Sequence, residues 1–84
     1  MTLPDFLDCP PAGELITDYD ERHHETYWRL LDADAQETDW KEAVRAIFHI
    51  DPDADFARSR LLFETHLARA RWISESGYRA LIGP

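Results

Sequence analysis

An all-α fold is what this sequence predicts, and three observations carry the prediction. Apolar residues recur at three- and four-residue intervals in three separate stretches. No run alternates apolar and polar positions with the β-branched content of a strand. Asp18 with Glu21, and Asp39 with Glu42, have the spacing of the capping boxes that start helices. At 84 residues the chain makes one small domain, and its core is modest.

Residues 1–16 hold Pro4, Pro10, Pro11 and Gly13 and read as a flexible N-terminal arm, with Phe6, Leu7, Leu15 and Ile16 able to lie on the domain. Residues 17–84 are the domain itself. A first helix is expected from Tyr19 to Ala35, capped by Thr17 or Asp18. At a hundred degrees per residue, Tyr19, His23, Thr26, Tyr27, Leu30 and Ala33 share one face, while Trp28 lies opposite among Glu21, Glu25 and Asp32. A second helix is expected from Trp40 to His49, burying Trp40, Ala43, Val44 and Ile47 and leaving Lys41, Glu42 and Arg45 in water. Pro52 disfavours helix at Asp51 and ends it. Asp53 or Asp55 then caps a third helix, Ala54 to Glu75, with Phe56, Ser59, Phe63, Leu67, Ala70 and Ser74 inward and Leu62, His66 and Ile73 along one flank. Gly77 suits the position just past its end, with Tyr78 packing back and a last turn over residues 78–82. Short helix, turn and long helix make the domain helix-turn-helix-like, built from three helices.

In such a domain the start of the second helix of the pair enters the major groove. Here that region carries Asp51, Asp53 and Asp55, and carboxylates repel phosphate where Lys and Arg would attract it. The net charge of −8 is lopsided: residues 1–40 hold eleven acids against two bases, and residues 41–84 are nearly balanced. A basic protein surface therefore suits this chain better than nucleic acid. Arg58, Arg60, Arg69 and Arg71 are the support for DNA binding, and their competing role is to neutralise the acidic first helix.

Catalytic and metal chemistry finds little footing. His23 and His24 are adjacent, so on a helix they point about a hundred degrees apart and cannot share a metal. The run Asp51, Asp53, Asp55 imitates a calcium loop, but Phe56 and Leu62 stand where that loop needs Gly and Glu. With Gly only at 13, 77 and 83 there is no phosphate loop, and Ser59, Ser74 and Ser76 lack a nucleophile elbow. The expectation is no enzyme, no cofactor and no metal. A lone Cys9, no secretory signal and no apolar run of membrane-spanning length point to a cytoplasmic protein that engages no membrane.

Two surfaces could bind a partner. Trp28 ringed by Glu21, Glu25 and Asp32 is one, unless Trp28 packs under the arm or another helix. On the third helix, Leu61, Thr65, Ala68 and Trp72 form a stripe away from the inner face, flanked by Arg58 and Arg69, to be buried internally or by a partner.

The words "LLDADA", "DWKEA", "HIDP" and "HLARARW…GYR", spread from Asp18 to Ile82, resemble a small proteobacterial family first catalogued as a domain of unknown function. That family is a variant helix-turn-helix associated with transcriptional control of conjugative elements. It contains DNA-binding activators and stand-alone antiactivators, and a short acidic chain looks most like the latter. The resemblance implies an antiactivator, monomeric and not bound to nucleic acid. Its partners would be a LuxR-type quorum-sensing activator (TraR-like) and an excision activator (FseA-like). The interface residues expected are Asp53, Asp55, Arg58 and Leu61 on the third helix, with Trp28 and Glu25 on the first. The alternative is a small DNA-binding regulator.

Overall fold

The computed structural model describes Phe6, residues 9–11, Gly13 and residues 15–77, and over these the chain is all-α. Helix α1 spans Asp18–Arg22, α2 His24–Ala35, α3 Trp40–Ala43 and α4 Phe56–Trp72. Two of these continue into wider π-helical turns, α3 over Val44–Phe48 and α4 over Ile73–Gly77. Leu7 and the expected last turn at residues 78–82, with Tyr78, lie outside the described residues.

The expected first helix is broken in two at His23, whose φ of −111° and ψ of 18° leave the helical region. The cap is Thr17, paired with Asp20 rather than the Asp18–Glu21 pair: the Asp20 amide donates to Thr17 Oγ1, and the Asp20 carboxylate accepts from the Thr17 amide. The stripe of the first helix is otherwise as patterned, with Tyr19, His23, Tyr27 and Leu30 buried. Helix α2 ends at a turn in which the Thr38 amide bonds the Ala33 carbonyl and the Glu37 amide bonds that of Asp34. This is a Schellman motif, with Glu37 at the left-handed position that glycine usually fills (φ 56°).

Asp39 caps α3 by accepting from the Lys41 amide. Phe48, four residues after Val44 and not included in the expected stripe, also enters the core beside Val44 and Ile47. His49 then stops the helix in the left-handed region and stands exposed. Pro52 is buried in the turn before α4.

Helix α4 is rotated relative to its expected inner face. Ser59, Leu62, His66, Leu67, Arg69 and Ala70 are buried, whereas Phe56 is 54% exposed and Ser74 faces solvent. The positions assigned to the flank, Leu62 and His66, are central. Gly77, expected just beyond the helix, is its last residue. The core joins Tyr27 and Leu30 of α2, Ala43, Val44, Ile47 and Phe48 of the α3 segment, and Leu62, Leu67 and Ala70 of α4. Phe6 packs edge-on against Phe48, with centroids 4.7 Å apart, and lies at the same distance from the His23 ring. Leu15, by contrast, is exposed.

Candidate protein-binding surfaces

The three aspartates at the start of α4 are engaged in the turn itself. Asp51 accepts from the Asp53 amide at 2.9 Å, and Asp55 caps α4 by accepting from the Arg58 amide at 3.3 Å. Asp53 bridges back to α3, pairing with Lys41 at 2.9 Å and Arg45 at 3.2 Å. The hydrogen bond and charge of Lys41, with Arg45 behind it, hold the Asp53 carboxyl below the usual range. The turn is therefore less acidic than its three carboxylates suggest, because two bases of the α3 segment offset Asp53. Next to it, two rings stand between two cations: Lys41 lies 5.3 Å from the Phe56 centroid, Phe56 is edge-on to Trp40, and Arg60 lies 4.9 Å from Trp40. Leu61 stands beyond them, 43% exposed.

A second surface is built on α2. Trp28 is 69% exposed, so it packs under neither the described arm residues nor another helix. It forms one lip of a cleft of about 640 Å³, lined by Ile16, Asp20, Glu21, His24, Tyr27, Trp28, Leu31, Ala70, Ile73 and Ser74. Glu21, His24, Trp28 and Leu31 reach it from the outer side of the first two helices. Ala70, Ile73 and Ser74 reach it from the far end of α4, where the π turn carries the last two. Its walls are mostly apolar. Outside it, Glu25 is exposed and paired with Arg29 at 3.0 Å, and Asp32 accepts from Gln36.

Beneath the cleft lies a hub that the residue pattern did not single out. Asp20 is buried and accepts five hydrogen bonds: two from Arg69 (2.7 and 3.1 Å), one from the Tyr27 hydroxyl (2.8 Å), and two from the Thr17 amide and hydroxyl. Burial pushes the Asp20 carboxyl up, but the bonds from Arg69, Thr17 and Tyr27 together outweigh it and hold it at about 2. Burial, with Asp20 adjacent, pushes the Tyr27 phenol far above its ordinary value. Arg69 also donates to the carbonyls of Gly13 (2.7 Å) and Leu15 (2.8 Å), and its guanidinium stacks 4.3 Å from the half-buried Trp72 ring. The signal that could have found it is Arg69 interrupting the helical series Leu62, His66, Ile73, and Asp20 standing beside the buried Tyr19.

The predicted interface residues thus fall in two places. Asp53, Asp55, Arg58 and Leu61 gather at the turn and first turns of α4, while Glu25 and Trp28 sit on α2. Leu61 is about 14 Å along the axis from Ala70, the nearest cleft residue on α4. Among the four arginines of α4, Arg69 and Arg71 neutralise the first two helices, pairing with Asp20 and Asp34 at 2.7 and 2.8 Å. Arg60 pairs with Glu64 at 2.8 Å. Among the described residues no helix is long and apolar enough to cross a membrane. No family model and no curated protein matches the chain.

Proposed function

We propose that this chain is a transcriptional antiactivator that works by protein contact, in the manner of QseM-type antiactivators of conjugative elements. It would bind and inhibit a TraR-like LuxR-type activator and an FseA-like excision activator. The resemblance of its sequence words supports the class. The observation that carries the reading is Trp28: an indole 69% exposed at the lip of an apolar cleft. A large aromatic left in water costs hydration free energy unless something covers it, and Trp is a favoured anchor of protein interfaces. Acidic groups on the same side, Glu21, Glu25 and Asp32, favour a basic partner.

The test is a titration of the purified chain into each activator bound to its target duplex, read by gel shift. The activator should leave the DNA, and Trp28→Ala should need at least about tenfold more protein to release it. Activators that stay bound at saturating concentrations of the chain would reject the proposal.

A second reading is favoured by the bases around the start of α4. Lys41, Arg45, Arg58 and Arg60 lie there, and Asp53 is already neutralised in part. A direct DNA-binding regulator would use that end. It predicts specific duplex binding by the chain alone, with affinity falling steeply as salt rises.

A further inference from the structure

We infer that the Trp28 cleft takes a basic amphipathic helix of a partner protein, an inference that rests on the protein-contact reading above. Helical ridges already form its walls. The first two helices supply Glu21, His24, Trp28 and Leu31 at spacings of three, four and three, and the end of α4 supplies Ala70 and Ile73. Ridges of this kind accept the ridge of a further helix. Along α2 alone, from His24 to Leu31, the wall runs about 10 Å, room for about two turns. An occupant needs an apolar stripe to cover Trp28, Leu31 and Ile73.

Charge decides the rest of the occupant's chemistry. Glu21 lies in the wall, Asp32 stands one turn beyond Trp28, and Glu25 one turn before it. Arg29 pairs with Glu25 and Arg71 with Asp34, so these charges offset one another and Glu21 and Asp32 carry the rim's acidity. Lys or Arg flanking the apolar stripe would complement the rim. A second copy meeting the same cleft face to face would set these carboxylates against their equivalents, so self-association through it is disfavoured.

The probe is an 18-residue peptide of Leu and Lys, with Leu at helical spacing on one face. It is added to the full-length ¹⁵N-labelled chain alongside a Leu/Glu peptide of the same pattern and a scrambled Leu/Lys peptide. The expected result is saturable perturbation of the Trp28 indole and of the amides of Leu31 and Ile73 by the patterned Lys peptide. Its affinity should fall at least about tenfold in Trp28→Ala. It should also fall several-fold in the double variant Glu21→Gln, Asp32→Asn, with a shallower salt dependence. Trp28 is exposed, so its variant keeps the fold, and an unchanged thermal melt confirms that before binding is read. Equal binding of the Glu or scrambled peptide, perturbation centred on Phe56 and Leu61, or concentration-dependent dimerisation lost in Trp28→Ala would each overturn the inference. If the chain releases activators from DNA while the Lys peptide leaves Trp28 untouched, the cleft assignment fails and the antiactivator reading stands. If the peptide binds and the activators ignore the chain, the reverse holds.

Discussion

Arg69 reaches across 49 residues of sequence to hold Asp20 with two hydrogen bonds, inside the protein rather than on its surface. The side chains are 6% and 1% exposed, and every buried oxygen and nitrogen of the pair has a partner. This pair joins α1 to α4 and sits directly under the Trp28 cleft. It keeps the floor of that cleft in place.

Removing one side of the pair leaves the other charged and buried. Arg69→Ala or Asp20→Ala should cost about 3 to 5 kcal/mol, a large share of the stability of a domain this size. Arg69→Lys should recover little, because an ammonium cannot make the two parallel bonds while also reaching Gly13 and Leu15. Urea unfolding followed by circular dichroism checks both.

Acid should destabilise the protein in two steps. His66 is fully buried: its Nδ1–H donates to the Leu62 carbonyl at 2.8 Å, so Nε2 of the neutral ring accepts from the Tyr19 hydroxyl at 2.6 Å. Burial lowers its pKa from 6.5 to about 4. The unfolded chain therefore binds the proton first, and the stability present above pH 6.5 is lost as pH falls towards 4, on the order of 3 kcal/mol. Asp20, depressed from 3.8 to about 2, adds a second loss as pH falls between those two values. In His66→Gln the first slope should flatten and the second remain. A slope between pH 6.5 and 4 unchanged by that substitution would contradict the assignment.

Glu37 occupies a conformation that costs a side chain about 1 to 2 kcal/mol, whereas glycine adopts it freely. Glycine also loses more entropy on folding, by about 0.4 to 1 kcal/mol. Glu37→Gly should thus stabilise the domain by roughly 0.5 to 1 kcal/mol. A thermal melt that moves downwards would show that the turn is not held as described.

Phe6 contributes to the core from outside the helices. Its ring meets Phe48 and His23 at 4.7 Å and His66 at 6.0 Å. Phe6→Ala should destabilise by about 2 kcal/mol, less than a fully buried phenylalanine because the ring is half-buried. Equal stability of the substituted and unsubstituted chains in urea would remove Phe6 from the core.

Much of this architecture is legible in the residues because helical periodicity is a local property. Tyr27 and Leu30, and Ala43 and Val44, follow from spacing alone, whereas spacing leaves open whether Trp28 is covered. The features that spacing hides depend on contacts between elements. The break at His23 leaves the phase intact, since Tyr27 and Leu30 beyond it are buried as patterned, but no spacing of apolar residues marks the break itself. The rotation of α4 has the same origin as its buried arginine: Arg69 turns inward because Asp20 waits there, and charge at a core position reads as surface until its partner is known. At the α4 turn the sequence shows three carboxylates, but only the folded chain shows Lys41 and Arg45 reaching Asp53 from α3. The cleft is hidden for a like reason, since its walls come from segments some forty residues apart.

Arg69 fastens the segment before α1 through the carbonyls of Gly13 and Leu15, atoms common to all twenty amino acids. The latch is blind to side-chain identity there. The Leu15 side chain can therefore change without loss of its bond, whereas Gly13 is fixed by its φ of 118°, which side chains rarely adopt, and position 69 needs the guanidinium. A single codon thus controls where that strap lies, and with it how Ile16 meets the rim of the cleft.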